Sequence, residues 1–151
     1  MTGRRVTGGA RLEGAAELEE GPARALVEVG MRAVTRTDVP VEIEGDGIEL
    51  RMQDIGGDTD VAFVRLPEGT NMAPALKGEP DGLCQVPHWG YMFKGRLLMH
   101  TTEGDTTYEA GEAFYWAPGH VPEALEDCEY VDFSPRREFE EVIGHIKANL
   151  G

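Results

Sequence analysis

Cys84-Gln85-Val86-Pro87-His88-Trp89-Gly90-Tyr91-Met92-Phe93-Lys94-Gly95 and Ala110-Gly111-Glu112-Ala113-Phe114-Tyr115-Trp116-Ala117-Pro118-Gly119-His120 are the two halves of the stretch that decides how this chain folds. Side chains alternate along a strand. Cys84, Val86, His88, Gly90 and Met92 therefore share one face, and Gln85, Pro87, Trp89, Tyr91 and Phe93 share the other. The donor groups of Cys84 and His88 point the same way. His120 follows a Pro-Gly turn that can bend the chain towards them.

Working outward, the residues upstream read in period two. Val41–Glu44 and Ile48–Met52 alternate around Gly45-Asp46-Gly47, which reads as a hairpin turn. Asp60–Leu66 is a third strand, followed by a loop punctuated by Gly and Pro as far as Gly82. Downstream of Lys94-Gly95, Arg96–Thr102 is expected to pair back on the organising strand. Thr106–Tyr108, Ala113–Ala117 and Glu129–Phe133 complete at least eight short strands with a turn signal roughly every 8–12 residues, the pattern of a sandwich or barrel. Ser134-Pro135 reads as a helix cap with proline at the first position. Phe139, Val142, Ile143, Ile146 and Leu150 then form one apolar stripe. This divides the chain into an arm over residues 1–38, partly mobile and either forming a short helix that opens at Gly21-Pro22 or lying on the main domain, a strand-rich body over 39–134 and a terminal helix over 135–151.

Length and composition fit one domain with a sizeable core: 151 residues, 40% of them hydrophobic. The 14 Lys and Arg against 28 Asp and Glu leave a net charge of −14, which disfavours nucleic acid and anionic membranes as partners. Two cysteines, Cys84 and Cys128, are too few for a disulfide framework. With no apolar run long enough to span a bilayer and no signal-peptide core, a cytoplasmic protein with reduced thiols is expected. No Gly-rich phosphate loop, Gly-x-Ser-x-Gly elbow, paired Cys-x-x-Cys or basic aromatic surface is present, which excludes the chemistries those motifs carry.

The segment Cys84–Ser134 resembles a cupin, the small double-sheet barrel of the jelly-roll group, and the resemblance implies an all-β jelly-roll barrel with a C-terminal helix. The first cupin motif has His-x-His, a Glu three or four residues on, then Gly after six more. Aligned on Gly95, it puts His88 on the Glu position, Cys84 on the second His and Gly82 on the first. The second motif runs Gly, five residues, Pro-x-Gly-x-x-His. Here Gly111 and Gly119 fit, Ala117 replaces the Pro, Pro122 stands at the His, and His120 lies two residues earlier. The ligand set is altered at every position. The wording around Pro87–Tyr91 and Ala117–His120 is similar to small single-domain bacterial cupins.

Cys84, His88 and His120 are the candidate metal ligands. A thiolate with two imidazoles suits Zn²⁺ best among divalent transition metals, with Fe, Ni or Cu as rivals. Three protein ligands and one open position is the arrangement of a reactive centre. On a straight strand Cys84 and His88 lie about 13 Å apart, so the site needs a bend at Pro87 or Gly90. A set of His88 and His120 with water or Glu123 needs less distortion. Tyr115 is the candidate catalytic acid or hydrogen-bond donor. The structural alternatives are a Cys84 that only packs, a His88 bonded to Tyr115 or a backbone carbonyl, and a His120 that caps its own turn. His100 reads as structural or surface and His145 as exposed to solvent.

Trp89, Tyr91 and Phe93 on the face opposite His88 need a cover: a second subunit, the last helix or the amino-terminal arm. Burial is worth roughly 1.5–3 kcal/mol for each such side chain. A homodimer is the expected cover. Two function classes follow: a metal-dependent enzyme acting on a small organic molecule in the barrel, or a non-catalytic small-molecule binder or sensor. A purely structural dimer, with a solidly filled interior, is the third reading.

Overall fold

Among the described residues, nine antiparallel strands form in chain order: β1 (Val41–Gly45), β2 (Ile48–Gly56), β3 (Thr59–Leu66), β4 (His88–Lys94), β5 (Arg96–Thr101), β6 (Gly104–Glu109), β7 (Ala113–Trp116), β8 (His120–Ala124) and β9 (Cys128–Pro135). The α-helix α1 (Arg136–Leu150) follows them. These elements belong to a computed structural model that describes residues 30–151, so the helix expected at Gly21-Pro22 lies outside the described residues. A six-stranded sheet runs β1-β2-β3-β9-β4-β7, and a three-stranded sheet runs β6-β5-β8. This is the jelly-roll arrangement of two facing antiparallel sheets.

The alternation read from sequence sets the faces. Val86, His88 and Met92 are buried, while Trp89, Tyr91 and Phe93 stay 50%, 41% and 53% exposed. The β1–β2 hairpin closes through Asp46-Gly47 with both residues at positive φ, as the two-residue turn requires. One pairing differs from expectation. β5 pairs with β6 and β8, not with β4, which lies between β9 and β7. Gly95 is the reason: at φ 84° it hands the chain from one sheet to the other, and a Cβ there would lie 2.2 Å from the Asp127 carbonyl oxygen. Gly95→Ala combines left-handed strain with that backbone clash and is expected to cost at least about 2 kcal/mol in urea unfolding.

The small sheet has too few strands to cover the large one. Leu97, Met99, Val121 and Ala124 are buried with Met92, Phe114, Trp116 and Tyr130 between the sheets. The inner face of β1–β3 is closed by α1, whose buried side chains Phe139, Val142, Ile143 and Ile146 join Ile43, Leu50 and Val64 around one cavity. The helix is thus a wall of the barrel interior. It does not lie over the aromatic row on β4. Lys147 reaches Glu42 at 2.5 Å, and Asn149 donates to the carbonyls of Ala75 (2.7 Å) and Lys77 (2.9 Å), so the far end of the helix is pinned. The expected Ser134 cap is not used: β9 continues through Pro135, and the Ser134 hydroxyl is engaged inside the barrel.

Candidate metal centre

Cys84 precedes β4 and is bridged to the first residue of β8. Its N–H donates to the His120 carbonyl (2.8 Å), and the Gly119 N–H donates to the Cys84 carbonyl (2.7 Å). Residues 85–87 make no ladder, since Pro87 has no N–H to give. The chain therefore leaves the straight path that would separate Cys84 from His88. Cys84 Sγ comes to 3.7 Å from His88 Nε2, and ligand atoms of Cys84, His88 and His120 all lie within 4.8 Å of one another. Tetrahedral zinc with ordinary Zn–S and Zn–N lengths separates its sulfur and nitrogen ligands by about 3.5 Å, so the three donors could hold an ion with little movement. All three side chains are buried.

The hydrogen bonds behind the imidazoles suit that role. His120 Nδ1–H donates to the Ala117 carbonyl (2.6 Å), leaving Nε2 as the lone-pair nitrogen. The turn-capping reading and the ligand reading of His120 are therefore compatible. His88 Nδ1 is bonded to Ser134 Oγ (2.6 Å), whose own hydroxyl donates to Asp132 Oδ1 (3.4 Å). With the serine proton donated to Asp132 Oδ1, His88 Nδ1–H donates to serine and Nε2 is left as the lone-pair nitrogen facing Cys84 Sγ. An outer hydrogen-bond partner of this kind fixes the ring and its tautomer.

Burial dominates the titration of these groups. It pushes the Cys84 thiol up to about 12 and lowers His88 to about 3, the nearby His120 adding to the second effect. His120 is lowered as well, by burial against the opposing bond to Ala117. Asp132 is raised to about 8 by burial, with the Ser134 bond opposing. Without an ion, Cys84 is a thiol and both imidazoles are neutral. The two buried partners pull stability in opposite directions with pH. A lowered His88 contributes stability above its unfolded value that is lost as pH falls towards 3. A raised Asp132 contributes stability at low pH that is lost as pH rises through 8. Between pH 6.5 and 8 only the second effect operates for this pair. In metal-free protein, Asp132→Asn is therefore expected to remove a decline of about 2 kcal/mol across that window, measured by urea unfolding at each pH.

Other expected site residues lie elsewhere. Tyr115 faces outward on β7, half exposed and stacked on Trp89 at 5.1 Å, because strand alternation sends it opposite Phe114 and Trp116. This removes it both as an acid in the barrel and as a partner of His88. Glu123 is bonded to Asn71 (3.1 Å) and His100 (2.9 Å), away from the three donors. His100 bridges Glu123 and Asp105, which raises its pKa. His145 is half-buried rather than free in solvent, its Nε2–H donating to the Lys77 carbonyl (2.6 Å). Sequence reasoning missed Asp132 and Ser134. Their signal was two polar residues at alternate positions of β9, in register with the buried Tyr130.

The donors open on a cavity of about 70 Å³, walled by β1–β3 and α1. Phe139 on the helix stands 5.3 Å, ring to ring, from His88. Both cysteines are free. Among the described residues no helix is long and apolar enough to cross a membrane.

No family profile and no curated protein matches the chain. Solved structures do. KdgF from a Halomonas species aligns with a TM-score of 0.54 at 22% identity, covering 74% of this chain and 99% of that one. An RmlC-like cupin from Shewanella frigidimarina aligns at 0.53 and 14% identity, covering 74% and 96%. The polyketide cyclase RemF from Streptomyces resistomycificus aligns at 0.51 and 18% identity, covering 72% and 81%. With two facing antiparallel sheets, a helix closing the interior and these neighbours, the chain is a protein of the cupin fold.

Proposed function

We propose that the protein holds a divalent transition metal through Cys84, His88 and His120 and uses it on a small organic molecule in the barrel. Zinc is the best fit, with iron, nickel and copper as rivals. The observation that carries this reading is the convergence of three buried donors within 4.8 Å, each imidazole with Nδ1 engaged and Nε2 left as the lone-pair nitrogen. A bound divalent ion with an open position would supply Lewis acidity and an activated water. The remaining titratable groups in the cavity wall are Asp132 and Tyr130. Burial holds the Tyr130 phenol well above 10, so Asp132, at about 8, is the one able to exchange a proton near neutrality. In the catalytic reading Asp132 takes the role first expected of Tyr115. The non-catalytic alternative, a carrier or sensor, shares the ion and lacks the turnover. Metal analysis of purified protein tests the common part: about one transition-metal ion per chain supports it, and metal-free protein that takes none up sinks it.

We also propose that a second copy covers the outer face of β9-β4-β7, and that the protein works in a reducing, cytoplasmic setting in keeping with its free thiols. Trp89, Tyr91, Phe93, Tyr115 and Phe133 form a row of partly exposed rings there. The charged side chain that β9 adds at the edge of this face, Glu129, is neutralised by an ion pair with Arg65, which lets two copies of a chain carrying −14 approach. Tyr91→Glu is expected to convert a dimer to a monomer in light scattering. A wild type that is monomeric at high concentration would contradict the contact.

A further inference from the structure

The cavity beside the three donors is polar at one end and apolar elsewhere. Ile43, Leu50 and Val64 from the sheet face Phe139, Val142 and Ile146 from α1 around it. No main part of that wall offers a hydrogen bond, so a polyol or sugar placed there would bury hydroxyls without partners, at a cost for each. At the polar end, Ser134 is committed to His88 and Asp132. Trp116 lines the same cavity and is 3% exposed, yet its indole Nε1–H is buried without an acceptor. The Trp116 ring lies 6.1 Å from the rings of both His88 and His120, so an acceptor reaching it would sit beside the donor cluster. A buried indole N–H ordinarily has a partner.

Resting on the metal-centre reading above, we infer that the cavity takes a small molecule with an apolar body and one ion-binding, hydrogen-bond-accepting head, of the short aliphatic carboxylate type, and that the Trp116 indole N–H holds that head. With an ion held by Cys84, His88 and His120, one carboxylate oxygen would bind it, leaving the other to accept from the indole. The aliphatic body runs along the apolar wall towards α1. Trp116 is a positioning and specificity residue in this scheme.

The experiment uses the full chain, metal-free and zinc-loaded, titrated calorimetrically with acetate, butyrate, hexanoate and glycerate. Affinity is expected to rise about three- to fourfold per methylene until the chain meets the helix, with glycerate weaker than butyrate. A flat or falling slope, or glycerate binding as tightly as butyrate, overturns the apolar class. Protein that takes up no zinc defeats the metal centre instead, and the slope on metal-free protein still decides the class of occupant. Trp116→Phe is expected to weaken every carboxylate by about tenfold while leaving the slope per methylene unchanged. Should that variant not fold, the wild type suffices, because it has two tryptophans. On butyrate addition the Trp116 indole N–H resonance is expected to shift, while that of the exposed Trp89 stays in place. An unmoved Trp116 resonance at saturating butyrate overturns its role.

Discussion

His88→Ala lowers zinc affinity by at least about a hundredfold, since loss of an outer partner alone costs 10–100-fold and this change removes a ligand. The two donors left, Cys84 and His120, do not make a closed site. In wild type, zinc at about a thousand times its Kd stabilises the fold by about 4 kcal/mol, and that gain is expected to vanish in the variant. Ser134→Ala is the informative companion. It keeps all three ligands but removes the group that orients His88 through a 2.6 Å bond, and so falls between wild type and His88→Ala. Competition titration with a chromophoric chelator reads all three proteins. Because both histidines are held neutral by burial and the Cys84 thiol is raised to about 12, Cys84 is the ligand that must release a proton. Zinc affinity is accordingly expected to climb with pH across the neutral range, and Cys84→Ser to flatten that climb.

Phe139→Ala destabilises the protein by about 3–5 kcal/mol, a fall in Tm on the order of 10 °C. Phe139 is 4% exposed, packs beside His88 and fills the end of the cavity nearest the donors. Truncation there enlarges an existing cavity, and the helix is pinned at its far end by Lys147 and Asn149, which limits collapse into the gap. Thermal unfolding of metal-free protein gives the number. A loss below about 1 kcal/mol would mean that α1 does not wall the interior as described.

Much of the fold was legible because alternation is a local property. The buried and exposed sets of β4 follow from period two alone, and the stripe of Phe139, Val142, Ile143 and Ile146 follows from helical spacing. Two things were not local. The transfer of the chain between sheets at Gly95 depends on the close approach of the Asp127 carbonyl, which only the folded barrel provides. Ser134 has the local signature of a helix cap, yet a buried histidine 46 residues away uses its hydroxyl. The donor trio could be named from the sequence, but its geometry could not. The four-residue separation of Cys84 and His88 argued against a shared ion until the break in the strand before Pro87 was seen. Tyr115 failed for the converse reason: its chemistry suited an acid, while its place between the inward Phe114 and Trp116 sent it outside.

Zinc-edge X-ray absorption on the loaded protein tests the central claim most directly. Cys84, His88 and His120 as ligands require one sulfur at about 2.3 Å and two imidazole nitrogens at about 2.0–2.1 Å, with a light fourth atom completing the shell. A first shell of oxygen and nitrogen alone, or one unchanged by Cys84→Ser, would contradict it.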